Sequence, residues 1–409
     1  MAHLPERIAM VSMHSSPLAQ PGSGDAGGMN VVILAVADQL ARRGIEVDLL
    51  TRAVGEPGAT ELGPGVVLYE LAAGPEGPLP RERLGEVADE FGEAIAAITG
   101  RRTPRYDLIH AHYWLSGLAA LPVALELGLP FVQSFHTVAA MKNAGLGPGQ
   151  SPEPERRLRT EHYLAGQAGG IVAGSAAEAT ALIDLVKAPA DRIWVVPPGV
   201  DVDRFSPAHA AGAARVRASL RIPDGPLLAV VGRLQPLKDQ ELAIRVLAAM
   251  PEPRPTLVIA GDPSPGESRY ADELLLLARA VGVADRVRFP GALARPELAD
   301  LLAAADLVLV PSRSETFGLI ALEAAASATP VIGSRAGGLA ESIADGGSGV
   351  LLDSRDPGLW AGVIHSLLSD RGRLAALSRS ARDHAERCRW GATAAALLGV
   401  YSAVQDGRP

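Results

Sequence analysis

Short apolar runs recur along the chain, and the stretches between them repeat Val, Leu and Ala at helical spacing. The first series opens with residues 7–13 (RIAMVSM), followed by a helix over 30–43. Strands are then predicted at 46–51 (EVDLLT), 107–111 (DLIHA), 130–134 (PFVQS) and 170–173 (GIVA). A second series restarts at 227–231 (LLAVV) and continues at 256–260 (TLVIA), 286–289 (RVRF), 306–310 (DLVLV), 330–333 (PVIG) and 349–352 (GVLL). Buried β-branched runs separated by helices predict parallel sheets covered on both faces, so the class is α/β with two doubly wound domains. Between the series lies WVVPPGVDVDRFSP, where Pro197-Pro198-Gly199 stops regular structure. The reading is an N-terminal domain over 1–196, a linker over 197–205 and a C-terminal domain over 206–385. The chain beyond 370 reads as helical, and 386–409 is expected to pack back on the N-terminal domain. Open parallel sheets bind ligands at the carboxyl ends of their strands. Two such sheets face to face make one cleft, which suits a two-substrate reaction.

Composition removes several classes. Of 409 residues 48% are hydrophobic, enough for two cores and too many for a disordered chain. The net charge of −8 argues against a nucleic-acid partner held by phosphate attraction. The single Cys388 excludes an intramolecular disulfide framework and a cysteine zinc cage. No apolar run approaches the roughly 18 residues of a membrane span. The start, MAHLPERIAMVSM, lacks the basic stretch and long apolar core of a secretory signal, so the cytoplasm is the expected location. Positive charge is written almost wholly as Arg; Lys142, Lys187 and Lys238 are the lysines.

Four stretches carry chemistry. In PGSGDAGGMN, Gly22-Ser23-Gly24-Asp25-Ala26-Gly27 satisfies G-x-G-x-x-G, with Asp48 about twenty residues on. That suits a dinucleotide site, an anion loop at a helix N-terminus, or a plain turn. HAHYWLSG (110–117) and SFHT (134–137) end predicted strands. His110 and His112 lack a third metal ligand nearby, whereas His136 could donate to a substrate oxygen or be a satisfied buried imidazole. GRLQPLKD places Arg233 and Lys238 past a strand end, where they suit a diphosphate or form a solvated loop. In PSRSETFGLIALEA, Glu315 and Glu323 are eight residues apart and share a helix face if the helix starts early. Gly318 allows close approach to the free N–H groups of that first turn, although a Glu there is also ordinary capping. The aspartates of Asp201-Val202-Asp203 follow a Pro-Gly rather than a strand, and are read as interdomain packing. Arg157, four residues from both Glu153 and Glu161, reads by spacing as a helix-surface ion-pair ladder.

In order, the G-G loop, the H-T after a strand, G-R-x-x-x-x-K, E-x-F-G-L-x-x-x-E and P-G-V-D-x-x-R-F resemble the retaining glycosyltransferases of family 4. Their architecture, GT-B, sets two Rossmann-like domains across a cleft. The resemblance covers essentially the whole chain. It is strongest to members that move N-acetylglucosamine onto inositol phosphate for mycothiol, through MHSSPLAQPGSGDAGGMN, DLIHAHYWLSG, residues 136–143, SPEPE and GRLQPLK. It implies a nucleotide-sugar donor in the C-terminal domain and a small anionic acceptor in the N-terminal one. Arg233 and Lys238 would hold the diphosphate, Glu323 the ribose, Glu315 the sugar hydroxyls, Gly28 a phosphate and His136 the transferring sugar. Phe317, Gly318 and Leu319 would complete the donor site. Asn30, Tyr113, Thr137 and Arg157 match positions around the acceptor, and Arg81 stands where the family has Lys. No metal or cofactor is expected, and the only protein partner considered is a second copy in a homodimer. AAGPEGPLPRERL, AGDPSPGES and FPGALARPEL depart from the family pattern at the substrate edges. They keep open an antibiotic-pathway S-glycosyltransferase joining a GDP-octose to a thiol such as ergothioneine. The rival outside the family is a Rossmann oxidoreductase using the Gly22 loop.

Overall fold

A computed structural model of the protein describes residues 4–147, 151–264 and 266–407. Pro265 of AGDPSPGES, the first three residues of the N-terminal segment and the last two of the C-terminal segment lie outside the described residues. The N-terminal sheet comprises β1 (Arg7–Val11), β2 (Glu46–Arg52), β3 (Gly58–Gly63), β4 (Val66–Leu71), β5 (Leu108–His112), β6 (Phe131–Ser134), β7 (Gly170–Ala173) and β8 (Ile193–Val195). Its order is β3-β4-β2-β1-β5-β6-β7-β8, parallel except for the β3–β4 pair. The C-terminal sheet comprises β9 (Leu227–Val231), β10 (Thr256–Ala260), β11 (Val287–Gly291), β12 (Leu307–Val310), β13 (Val331–Ser334) and β14 (Gly349–Leu352). Its order is β11-β10-β9-β12-β13-β14, the doubly wound pattern. Strand order reverses between β1 and β5 and again between β9 and β12. Those two switch points face the same cleft.

Three strands were not expected from the pattern. β3 (GATELG) is largely exposed and pairs on one side only, so it carries no apolar run, and β4 is its antiparallel partner. β8 is a three-residue edge strand that occupies the approach to the linker. The terminal helical stretch is two helices, Arg371–Arg387 and Trp390–Gln405. They break where the returning chain crosses the linker. There Val200 N donates to Cys388 O (2.8 Å) and Thr393 Oγ1 to Pro197 O (2.9 Å). A Cβ on Gly199 would sit 2.4 Å from Trp390 N, so the crossing requires glycine. The last helix buries Trp390, Leu397 and Tyr401 in one cluster with Ile33, Val36 and Leu40 of the Gly28–Ala41 helix. At about 1.5–3 kcal/mol per fully buried large side chain, this apolar seam ties the C-terminus to the N-terminal domain. The expectation for Asp201–Asp203 needs correction. Asp201 Oδ1 accepts from Asp203 N (3.2 Å) and Arg204 N (2.9 Å), so it caps a local turn while Val202 alone is buried. No helix among the described residues is long and apolar enough to cross a membrane.

Candidate active site

Between the sheets lies a cavity of about 360 Å³. Thirteen of the fourteen site residues named from sequence line it: Gly28, Arg81, Tyr113, His136, Thr137, Arg157, Arg233, Lys238, Glu315, Phe317, Gly318, Leu319 and Glu323. They arrive on loops after β1, β5, β6, β9 and β12 and on short segments nearby, as the switch-point rule requires. Asn30 is the exception. Its amide donates to Ser15 Oγ (3.0 Å) and Ser16 O (2.7 Å), and its Oδ1 accepts from Gly27 N (3.2 Å). It therefore shapes the glycine-rich loop from behind rather than facing the cavity.

On the C-terminal side, Lys238 Nζ is ion-paired with the Glu315 carboxylate, which also accepts from Ser312 Oγ (3.1 Å). The next helix starts at Leu319, so Glu315 and Glu323 do not share a helix face: a loop carries Glu315 to Lys238. Gly318 caps that helix at φ +93°, and a Cβ there would lie 2.4 Å from Leu339 Cδ2. Only glycine lets the Leu319–Ala326 helix present its first N–H groups to the cleft. Arg233 from the C-terminal domain and Arg81 from the N-terminal domain each stand 3.7 Å from the same Asp25 oxygen. Two guanidiniums of different domains thus converge on one internal carboxylate.

On the N-terminal side, Arg157 is only 4% exposed and every one of its nitrogens is used. Nε meets Glu161 Oε1 (2.7 Å), Nη1 meets Glu153 Oε2 (2.9 Å), and Nη2 donates to Thr137 O and Oγ1 (2.8 and 3.0 Å). The ladder read from spacing exists, but it is buried rather than on the surface. Its guanidinium also lies 5.0 Å over the Tyr113 ring. At Glu153 burial pulls the carboxyl upward, but Arg157 and Lys142 outweigh it and its pKa falls; at Glu161 burial wins and its pKa rises. Tyr113 and His136 both adopt positive φ, 76° and 59°, a strain that surroundings must enforce and that gathers at functional sites.

The histidines are linked to one another and to neighbouring hydroxyls. His110 contacts Tyr401 Oη (2.8 Å) and Ser134 Oγ (2.9 Å), and His112 Nδ1 lies 2.8 Å from His136 Nε2. Burial lowers His136 to about 4 and His110 to about 3, and drives His112 well below its ordinary value. At neutral pH these rings are uncharged hydrogen-bonding groups. Thr316 Oγ1 donates to the His136 carbonyl (2.8 Å), and Ser175 Oγ to the Thr316 carbonyl (2.7 Å), so hydroxyls clasp the two domains at the site.

Sequence reasoning missed four residues. His14, just past β1, packs its ring at a tilt against Tyr113 with centroids 4.2 Å apart, and burial followed by Arg81 lowers it to about 3. Its position at a strand end was the available signal. Asp25 sat inside a quoted motif, and Arg295 inside a noted departure. Glu178 follows β7, lines the cavity and accepts from Gly174 N (2.7 Å) through Oε2, while buried Oε1 has no partner among the described residues. Burial raises Glu178 from 4.5 to about 7. The fold then holds a proton that the unfolded chain releases above 4.5, so this site's contribution to stability is lost as pH rises through about 7. Glu178→Gln, permanently neutral, should therefore stabilise the protein by about 2–3 kcal/mol more at pH 8 than at pH 5. Denaturant titrations at both pH values test this; an equal effect would contradict it. The cleft histidines act in the opposite sense, below 6.5, and cancel when variant and parent are compared at one pH.

The oxidoreductase reading does not survive the geometry. Asp48 is the third residue of β2, away from the carboxyl end, and its Oδ2 is taken by Arg102 Nε (2.6 Å) and Tyr106 Oη (2.8 Å). It has no route to a ribose beside the Gly22 loop.

Residues 26–204 match the family described as Glycosyltransferase Family 4, and 214–384 that described as Glycosyl transferases group 1. The D-inositol 3-phosphate glycosyltransferase of Acidothermus cellulolyticus is 44% identical over 407 residues, covering 97% of this chain and 90% of that relative. D-inositol 3-phosphate glycosyltransferase 2 of Catenulispora acidiphila is 43% identical across 100% of this chain and 97% of its own. Sucrose-phosphate synthase from Thermosynechococcus elongatus superposes with a TM-score of 0.88 at 30% identity, over 97% of this chain and 98% of that one. Anabaena HepE in complex with UDP-glucose shares the fold, with a TM-score of 0.78 at 22% identity over 97% and 98% of the two chains. Motifs, cleft and relatives agree: the chain belongs to glycosyltransferase family 4, as a retaining enzyme of GT-B architecture.

Proposed function

We propose that the protein transfers N-acetylglucosamine from a nucleotide-diphosphate donor to an inositol phosphate, with retention at the anomeric carbon. The observation that carries this reading is the division of the cavity. Arg233, Lys238 and the Gly318 helix start come to it from the C-terminal domain, and Arg81, Tyr113, Thr137 and Arg157 from the N-terminal domain. The first group suits a diphosphate; in the second, the Arg81 guanidinium and the Tyr113 and Thr137 hydroxyls, with Arg157 held behind Thr137, suit a phosphate monoester. The relatives named D-inositol 3-phosphate glycosyltransferase support the same acceptor.

In the proposed reaction the acceptor hydroxyl attacks the anomeric carbon on the face from which the diphosphate departs. The bond from that carbon to the phosphate oxygen breaks, and the acceptor proton passes to the leaving phosphate. Arg233 and Lys238 stabilise the charge that grows on the phosphate, and the N–H groups beyond Gly318 add to it. Glu315 orients the sugar hydroxyls, and neutral His136 supplies a hydrogen bond without a competing charge. Asp25, which balances Arg81 and Arg233 in the free protein, gives way to the incoming phosphates. Interdomain hydroxyls keep water out and limit donor hydrolysis. The expectation that no metal takes part stays a proposal, resting on these cations and the helix start.

A mass-spectrometric screen of UDP- and GDP-sugars against inositol phosphate and low-molecular-weight thiols, run with EDTA, tests the reading. Glycosylated inositol phosphate is the expected product. Glycosylation of a thiol alone, or a requirement for added divalent metal, would overturn the corresponding part.

A further inference from the structure

The FPGALARPEL stretch, which begins within β11, brings a cation into the donor half of the cavity that no step above uses. Arg295 opens the Arg295–Ala304 helix, and its Nη1 lies 2.6 Å from Glu323 Oε1. Its Cζ stands 4.6 Å over the ring of Phe205, which is itself fully buried. The side chains of Arg295 and Glu323 are 22% and 7% exposed, and both line the cavity. The guanidinium plane is therefore fixed from below by an aromatic face and in front by a carboxylate, with three segments of the domain converging on it.

We propose that Arg295 is a specificity-determining positioning residue: it holds the Glu323 carboxylate aimed so that it reads the hydroxyls of the donor ribose. The proposal rests on the assignment of Glu323 to the ribose in the functional reading above. The physical need is plain. A carboxylate that is to accept two hydroxyl hydrogen bonds must carry no proton, and burial of an acid favours the protonated form. Burial raises the Glu323 pKa; Arg295 opposes that rise without cancelling it, and its planar fork restricts rotation of the carboxylate. Arg295 engages Oε1, so Oε2 is the better-placed acceptor for a ligand. The competing view is a structural staple between the Arg295–Ala304 and Leu319–Ala326 helices. A staple would change stability but would not change the preference among ligands differing by one hydroxyl.

That difference is the test. Dissociation constants are measured by calorimetry for UDP, 2′-deoxy-UDP and 3′-deoxy-UDP with the intact protein, or for the GDP series if GDP binds the parent more tightly. The parent should prefer the full ribose by about tenfold over at least one deoxy ligand, the scale of one hydrogen bond to a charged group. Arg295→Met, which keeps length and packing on Phe205, should reduce that preference below about twofold. An undiminished preference in Arg295→Met overturns the positioning role. Glu323→Gln, measured alongside, separates the two claims: it should also erase the preference. If Glu323→Gln retains the tenfold preference, the ribose assignment itself falls and takes the proposal with it. If only Arg295→Met retains it, Glu323 reads the ribose unaided. Should Arg295→Met fail to fold, Arg295→Lys, which lacks the fork, should give an intermediate preference near threefold. A full tenfold preference there would equally overturn the role.

Discussion

Replacing Lys238 by Ala is expected to lower kcat by about 30- to 1,000-fold while the protein stays folded. The side chain stands at the end of the Pro236–Lys238 turn after β9, paired with Glu315 and 26% exposed. Its removal leaves no deep cavity and no fully buried orphan charge, so little stability is at stake. The turn itself is held by the next residue. Asp239 sits at φ +49°, and its carboxylate is bound by Arg313 (3.0 Å) and Arg355 and accepts from Leu242 N (3.2 Å). The backbone at 238 is thus fixed independently of the ammonium group. What the variant loses is an interaction that strengthens as negative charge accumulates on the departing diphosphate, which is why kcat should fall and not only KM rise. Losing one such contact costs about 2–4 kcal/mol of transition-state stabilisation. Lys238→Arg, which keeps the charge in a different shape, should recover part of the rate. Steady-state kinetics at saturating donor, with circular dichroism as the folding control, checks this; wild-type turnover in Lys238→Ala would refute the diphosphate role.

Arg157→Ala should produce the second large effect, and it has two parts. The deletion strands Glu161, whose side chain is 1% exposed, and weakens Glu153, leaving Lys142 as its one remaining ion-pair partner of the two. Breaking a buried ion pair from one side costs about 3–5 kcal/mol, because the remaining charge is left uncompensated. Glu161 Oε2 still accepts from Ala139 N (2.8 Å), so part of its demand stays met and the lower end of that range is expected. The second part is functional. With the charge and the hold on Thr137 gone, the acceptor KM should rise by about 10- to 150-fold, with donor affinity almost unchanged. Denaturant unfolding gives the first part and steady-state kinetics on the folded protein the second. A stability loss below about 0.5 kcal/mol would contradict the buried network. A normal acceptor KM beside a large stability loss would leave Arg157 a structural residue.

Most strands of both sheets were legible because they are compact apolar runs, and the rule that ligands meet strand ends then located the site. β3, β4 and β8 were not read: an exposed edge strand and a three-residue strand leave no apolar signature, and β4 is the half-buried partner of the exposed β3. Arg157 shows a different limit. Spacing gave its two glutamates correctly, but i,i+4 geometry says nothing about which face of a helix is buried, and Thr137 approaches from a separate loop. Asn30 shows the converse: its motif position was right, yet its amide is consumed by Ser15, Ser16 and Gly27. Asp25 and Arg233 belong to different domains, and no local pattern carries that proximity. The roles of the residues came from the family resemblance, and the folded cleft adds which of them meet.

The most direct test of the account is the anomeric configuration of the product. The purified protein is supplied with UDP-N-acetylglucosamine carbon-13 labelled at the anomeric position and with inositol phosphate, and the product is followed by proton NMR. The label should appear in a new glycosidic bond to an inositol oxygen with the small anomeric coupling of the α form, as in the donor. A β-configured product would contradict retention in this cleft, and label released only as free sugar would contradict transfer to this acceptor.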